Sequence, residues 1–149
     1  MGRKYIIGID LGTTCGVCRV FLDGEIDAHH QKFESEMQAR LLGVAGIVRH
    51  HAGPDCLGVC IEQPFGANAK SLQVLYGMMG AVCLAAVEAG LSVSLVNLVK
   101  LKVHATGKGN AKKPEMQAAA KTRWGEDLGE DEADAAWAGG YAMDCGLFN

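Results

Sequence analysis

Four acidic residues stand where their types and spacing can do chemistry. Asp10 and Glu62 each end a short apolar run, and a carboxylate there needs a partner because an uncompensated buried charge is strongly disfavoured. Asp131 and Asp134 are spaced i, i+3 at a predicted helix start, so they share one helix face. If all four converge, hard oxygen-seeking cations relieve their repulsion best. The pattern therefore predicts two Mg²⁺ ions, with Mn²⁺ as a substitute, in phosphodiester hydrolysis.

Each acid also has a purely structural interpretation. Asp131 or Asp134 fits an acid at a helix N-terminus, where the helix dipole favours negative charge. Glu62 fits a strand-end carboxylate in solvent. Both interpretations stay open from the residues alone.

A basic segment precedes an acidic one in the last third of the chain. Residues 100–123 contain seven basic residues and one acid, whereas 124–149 contain seven acids and no Lys or Arg. This distribution suits a phosphate-rich ligand whose reacting atoms are held by metal ions, although the net charge is −3. Two solvated faces of ordinary helices are the alternative.

The length of 149 residues and a hydrophobic content of 49% predict one globular domain over 1–149. No stretch approaches ~18 uninterrupted apolar residues, and the N-terminal segment lacks a signal-peptide pattern, so we expect a cytoplasmic protein without membrane contact. Cys15 and Cys18 are spaced i, i+3 on a predicted strand and would point to opposite faces. That spacing favours buried thiols over a zinc site.

The elements that position the acids are predicted as α/β: a mixed five-stranded sheet with helices packed on it. Three strands joined by hairpins come first, and helices and strands then alternate. The predicted strands cover 4–11, 16–22, 25–33, 57–61 and 91–96. The predicted helices cover 36–51, 71–89, a segment from Pro114, and a segment from Asp131 through Ala142.

Four segments of the chain resemble the RuvC family of Holliday junction resolvases. They are IIGIDLGTT (6–14), IEQPFGA (61–67), KVHATGKGNAKK (102–113) and DEADAAWAGGYA (131–142), and they occur in the family's order over nearly the whole chain. The resemblance implies an RNase H-like fold with helices on both faces of the sheet. It also implies a metal-dependent endodeoxyribonuclease that resolves four-way DNA junctions as a homodimer, in the cytoplasm of a bacterium or of a virus-infected host cell.

The resemblance also assigns roles to the four acids. Asp10 matches the family's first-strand metal-binding aspartate, and Glu62 matches the glutamate of its I-E-Q motif. Asp131 and Asp134 match the D-x-x-D pair of the final helix. All four would be catalytic metal ligands.

Basic and aromatic residues receive roles in the same way. Lys102 and Lys113 fall on the two lysines that the family places around its active site, with Lys112 as an alternative to Lys113. Lys108, Lys112 and Lys113 would contact DNA phosphates, in a salt-sensitive way. Phe65 matches an aromatic that unstacks bases near the crossover, although a core position is equally compatible with its residue type.

Some features leave alternatives open. Leu11 stands where the family usually has proline, and the chain resembles the shorter, viral-type members, so a broader nuclease for branched DNA, flaps or RNA–DNA hybrids is one alternative. A noncatalytic junction-binding module is another. GIDLGTT (8–14) also matches the phosphate-binding hairpin of actin-like ATPases, but 149 residues cannot house their second lobe. The helix over 71–89 carries more apolar surface than one sheet contact covers. Part of that surface is predicted to pack against a second subunit, or else the domain itself buries it.

Overall fold

A computed structural model describes residues 2–66 and 68–148. Within these ranges an initial run of three strands is followed by alternating helices and strands as far as the fifth strand, and three helices end the described order. The strands are β1 (Tyr5–Asp10), β2 (Thr14–Phe21), β3 (Ile26–Lys32), β4 (Cys56–Glu62) and β5 (Val93–Val96). The helices are α1 (Met37–His51), α2 (Ala69–Glu88), α3 (Leu98–Thr106), α4 (Lys113–Trp124) and α5 (Glu130–Asp144).

The five strands form one mixed sheet in the order β3-β2-β1-β4-β5. Strands β1, β2 and β3 pair antiparallel, whereas β4 lies parallel to β1 and β5 lies parallel to β4. The mixed five-stranded sheet predicted from the sequence is confirmed. In the β1–β4 register Ile9 pairs with Ile61, so the next residues along, Asp10 and Glu62, end neighbouring strands at the same edge.

Helices cover both faces of this sheet, and each face has its own core. Helices α1 and α2 pack on the face that carries Ile7 and Ile9, while α4 and α5 pack on the face that carries Ile6. A strand buried on both faces is apolar along its whole length, which explains why β1 reads as a continuous run. Cys15 and Cys18 lie in opposite cores, as their spacing predicts.

Helix α5 lies unusually close to the sheet because glycines face it. A Cβ atom on Gly8 would lie 2.0 Å from the carbonyl oxygen of Ala135, and one on Gly16 would lie 2.0 Å from that of Asp131. No side chain fits at such distances, so both strands need glycine where the helix crosses them. The close approach brings the first turns of α5 to the end of β1.

Helix α3 was not predicted from the sequence. The Asn97 side chain caps it by accepting hydrogen bonds from the backbone N–H groups of Val99 and Lys100. It ends at Gly107, whose φ of 82° lies in the left-handed region that favours glycine. Among its nine residues only Leu101 is buried, so no apolar stripe at helical spacing marks it in the sequence.

Helix α2 qualifies the expectation that no segment can cross a membrane. By length and composition alone, this helix is long and apolar enough to do so. Helices in the core of a soluble protein pass the same test. In this fold one side of α2, including Met78 and Val82, packs into the core shared with α1.

Candidate metal centre

Three carboxylates from three separate elements meet at one end of the sheet. Asp10 ends β1, Glu62 ends β4 and Asp134 lies in the second turn of α5. One carboxylate oxygen of each lies within 4.8 Å of the others. Asp10 and Glu62 share the parity of Gly8 and Cys60, which face α5, so the strand alternation turns both toward Asp134. We call these three residues the acidic triad.

The electrostatics of the acidic triad disfavour three negative charges. Burial raises the pKa of Asp10 well above its usual value, and the charges of Glu62 and Asp134 raise it further. Burial together with Asp134 raises the pKa of Glu62 to about 7. Burial also raises the pKa of Asp134, against the opposing effect of Lys113. Groups with such shifts, in contact with one another, are typical of functional sites.

Among the described residues, Lys113 is the cation that forms an ion pair with the triad. Its Nζ donates a hydrogen bond to Oδ2 of Asp134, a residue that is only 2% exposed. Burial alone would lower the pKa of Lys113, but this hydrogen bond and the charges of the triad raise it overall. A cavity of about 180 Å³ adjoins the triad, and Lys102 lines it together with Glu62 and Lys113. The charge of Lys102 lowers the pKa of Glu62.

The donor set of the triad fits a hard divalent cation. The ligand atoms are carboxylate oxygens, which Mg²⁺, Mn²⁺ and Ca²⁺ prefer over the nitrogen and sulfur ligands typical of zinc. Oε2 of Glu62 is buried without a hydrogen-bond partner among the described residues, which is costly unless a cation binds it. Among the described residues, this triad is the one group of three such side chains close enough to share an ion.

Asp131, the fourth predicted acid, lies one turn before Asp134 on α5 and outside the acidic triad. Its charge still raises the pKa values of Asp10, Glu62 and Asp134, so it lies near enough to interact with them. The arrangement is a compact triad with one additional carboxylate beside it.

The predicted DNA-contacting residues are arranged around this centre. Lys112 is exposed at the N-cap of α4, next to Lys113, and lines the triad's cavity. Lys108 is exposed and lies 3.6 Å from a carboxylate oxygen of Glu115. Phe65 is 79% exposed, which excludes the core position that the sequence left open for it. Ala67, the last residue of the IEQPFGA segment, lies outside the described residues.

Sequence reasoning missed one polar feature near the centre. Arg40, on α1, has a buried Nε atom without a hydrogen-bond partner among the described residues. It lines a cleft with Gly12 and Thr13, which follow Asp10 along the chain. No spacing in the sequence marks Arg40, because only the fold brings α1 beside the β1–β2 turn.

Comparison with known proteins places the chain among nucleases. No protein-family model matches it. The crossover junction endodeoxyribonuclease RuvC of Ectopseudomonas mendocina is 36% identical over 123 residues, which cover 75% of this chain and 69% of that protein. The RuvC of Anaeromyxobacter sp. is 34% identical over 142 residues, covering 87% of this chain and 68% of the relative. The chain belongs to the RuvC family. The RuvC of Pseudomonas entomophila is 32% identical over 122 residues, covering 74% and 68% of the two chains.

Solved structures of RuvC from Thermus thermophilus share the fold. One aligns with a TM-score of 0.76 and 21% sequence identity, covering 97% of this chain and 98% of its own. Another, determined in complex with a Holliday junction substrate, aligns with a TM-score of 0.78 and 22% identity, covering 97% and 96%. The fold is therefore RNase H-like, as the sequence resemblance predicts.

Proposed function

We propose that this chain is a metal-dependent, structure-selective endodeoxyribonuclease that resolves four-way (Holliday) DNA junctions by hydrolysing phosphodiesters in two symmetric strands. The acidic triad is the observation that carries the proposal, since it gathers three carboxylates from β1, β4 and α5 around a site suited to a divalent cation. Membership of the RuvC family, whose named relatives are crossover junction endodeoxyribonucleases, supports the same substrate.

Two Mg²⁺ ions, or Mn²⁺ in their place, are the proposed cofactors. Asp10, Glu62 and Asp134 hold them, with Asp131 as a further ligand at the margin of the triad. When bound, such ions supply an activated water and neutralise charge on the leaving oxygen. The unpartnered oxygen of Glu62 and the upward pKa shifts of Asp10 and Glu62 support this assignment, because cations would remove both costs.

Lysines around the acidic triad bind the substrate's phosphates and stabilise their negative charge. Lys113 holds Asp134 and stabilises negative charge developing on the phosphate during attack. Lys102, on the wall of the same cavity, positions a backbone phosphate beside the triad. Lys112 and Lys108 contact neighbouring backbone phosphates, which gives affinity but little sequence information. The ion pair of Lys108 with Glu115 makes its contribution the smaller of the two.

Phe65 is proposed to open the junction centre. The ring is 79% exposed, and its contact with water is unfavourable in the free protein. Stacking on a base removes that apolar surface from water. Its position three residues after Glu62 along the chain supports this role.

The active unit is proposed to be a homodimer of single-domain chains in the cytoplasm, with no membrane contact. Tyr76, Leu84 and Val87 are exposed on one side of α2, and Gly80 between them leaves open space for a close partner. We define Tyr76, Gly80, Leu84 and Val87 as the outer face of α2. A second copy covering this face also sets two acidic triads in one particle, as two symmetric incisions require.

Purified protein incubated with end-labelled junction, fork and linear duplex DNA tests the function. Paired, symmetric nicks in the junction that need Mg²⁺ and vanish in EDTA are expected. Equal cutting of forks and junctions would instead indicate a general branch nuclease. Binding without any cutting would indicate a noncatalytic module.

Asp10→Asn separates catalysis from binding in the same assay. We expect this variant to lose cleavage while it keeps most of its affinity for the junction, because the amide is isosteric but a weaker cation ligand. Normal cleavage by Asp10→Asn in Mg²⁺ would show that the metal site is assigned wrongly. Asp23→Asn is the matched control, since Asp23 pairs with Arg3 away from the triad.

A further inference from the structure

A positively charged cleft lies on the other side of the sheet from Lys102 and Lys113. It has a volume of about 430 Å³ and lies between the turn after β1 and the helices α1 and α2. Its polar lining consists of Gly12, Thr13, Arg40, Lys70 and Ser71. We call it the Arg40 cleft. Among the described residues no carboxylate lines it, so its charge is positive.

The two cations of this cleft have no anionic partner in the part of the chain that the structure describes. Neither Arg40 nor Lys70 forms a salt bridge there, whereas Arg49, on the same helix as Arg40, pairs with Glu88. Nε of Arg40 is buried without an acceptor. A buried donor without a partner is costly, and more so when it is charged, so an acceptor bound in the cleft would relieve that cost.

The chemistry of the lining selects phosphate as that acceptor. A guanidinium offers several N–H donors in one plane, which matches the oxygens of a phosphate, and Lys70 adds a point charge. The hydroxyls of Thr13 and Ser71 can donate to the same oxygens. Gly12 carries no side chain, so the backbone of the turn leaves room for the anion.

The location of the Arg40 cleft connects it to the acidic triad. Gly12 and Thr13 follow Asp10 closely along the chain, so the cleft adjoins the triad at the end of β1. Lys102 and Lys113 adjoin the triad from the α5 side of the sheet. The triad thus lies between two cationic surfaces. A DNA strand with its scissile phosphate at the triad carries further phosphates to both sides at regular spacing.

We infer that the Arg40 cleft binds a backbone phosphate of the cleaved strand, on the side of the scissile phosphate away from Lys102 and Lys113. The inference rests on the proposed function, since it names a further contact of the same substrate. Leu11, Val74 and Leu75, which are half-buried, also line the cleft and offer an apolar surface to the deoxyribose of that nucleotide. Arg40 and Lys70 are substrate-binding residues in this assignment.

Salt dependence of junction binding tests the inference. Binding of an end-labelled junction is measured in EDTA, without cleavage, between about 50 and 200 mM salt, for wild type, Arg40→Gln, Lys70→Gln and Arg49→Gln. Loss of one phosphate contact lowers the slope of log K against log salt by about 0.7–0.9. Arg40→Gln and Lys70→Gln should each lose about fivefold to thirtyfold in affinity with this change of slope. Arg49→Gln should match wild type.

A neutral phosphate in the DNA localises the contact. Single methylphosphonates are placed one at a time within five nucleotides on either side of the scissile position. A methylphosphonate at one position, on one side of the scissile phosphate, should weaken binding by the wild type. The same methylphosphonate should not weaken binding by Arg40→Gln any further, since that variant already lacks the contact. Equal losses for both proteins at every position would overturn the inference. So would unchanged affinity and salt slope in both Arg40→Gln and Lys70→Gln.

Two control measurements test folding and the choice of ligand. Thermal unfolding shows whether Arg40→Gln is folded, and Lys70→Gln, an exposed position, carries the test if it is not. Titration with ATP and with inorganic phosphate distinguishes a site for free nucleotide or anion: Arg40-dependent binding of ATP in the micromolar range, tighter than binding of a DNA strand, would overturn the inference. Failure of wild type to cut any DNA, with Arg40-dependent binding intact, would contradict the proposed function alone.

Discussion

Burial makes the ionised form of Asp10 unfavourable in the folded chain. Its pKa is raised well above the usual value by burial and by neighbouring carboxylates, so ionising it favours the unfolded chain. Asp10 lowers the free energy of unfolding once the pH exceeds its pKa in the unfolded chain. This loss grows until the pH passes its raised pKa in the folded chain. A shift of one pKa unit corresponds to about 1.4 kcal/mol. The metal-free protein should therefore lose stability as the pH rises from 5 to 8, through the Glu62 pKa of about 7.

Asp10→Asn should remove much of this cost. We expect the variant to unfold with a free energy about 1–2 kcal/mol higher than that of wild type at pH 8 in EDTA. The difference should shrink at pH 5 and reverse in excess Mg²⁺, which stabilises only a protein that binds it. Urea denaturation under the three conditions measures this. A variant less stable than wild type in EDTA at pH 8 would contradict the electrostatic account of the triad.

Lys113 and Lys112 should separate clearly although they are neighbours. Lys113→Met leaves Asp134 without its hydrogen-bond donor, so we expect cleavage to fall about 10²–10³-fold, the usual effect of losing one charge-stabilising donor. Lys112→Met should lower junction affinity only severalfold. Single-turnover cleavage at saturating DNA measures the first effect. Equal losses in both variants would mean that the contact with Asp134 does not matter for catalysis.

At the scale of elements, Gly8 and Gly16 determine where Asp134 lies, because they let α5 approach the sheet closely. Gly8→Ala places a methyl group 2.0 Å from the carbonyl oxygen of Ala135, a contact that only movement of the helix relieves. We expect a loss of about 3 kcal/mol in the free energy of unfolding, together with loss of cleavage as α5 shifts. Gly46→Ala is the matched control, because a Cβ there meets no atom of the described residues within 4 Å and alanine favours the helix α1. Thermal unfolding of both variants gives the comparison, and a stable, active Gly8→Ala would show that α5 tolerates displacement.

Most elements follow from the sequence for reasons that are local. The strands β1 and β4 are apolar runs that end in acids, Asp23-Gly24 signals the hairpin turn, and α2 is long and apolar. Helix α3 could not be predicted, because a single buried residue, Leu101, leaves no periodic stripe. The sequence also could not predict which of Lys112 and Lys113 contacts Asp134, because that depends on where α4 begins and how it faces α5. Local patterns specify the elements, while contacts between distant elements decide which neighbouring side chain reaches the site.

At the scale of the whole molecule, the outer face of α2 predicts the oligomeric state. Leu84 is 59% exposed in a single chain. Leu84→Asp should convert the proposed homodimer to a monomer, because burying an unpaired carboxylate in an apolar interface is strongly unfavourable. Analytical ultracentrifugation measures the change. Leu42→Asp, at a residue that is 69% exposed on α1, is the control and should stay dimeric. A wild-type monomer at micromolar concentration would contradict the proposed dimer.

The acidic triad joins residues that lie at opposite ends of the chain. Asp10 belongs to the first strand and Asp134 to the last helix, with more than a hundred residues synthesised between them. During translation, β1, β2 and β4 leave the ribosome long before α5 exists to cover their second face. Until that helix docks, the emerging polypeptide has neither a complete set of acids nor a finished core. Synthesis order thus delays any nuclease activity until α5 has been made, and the apolar side of the sheet stays uncovered until then.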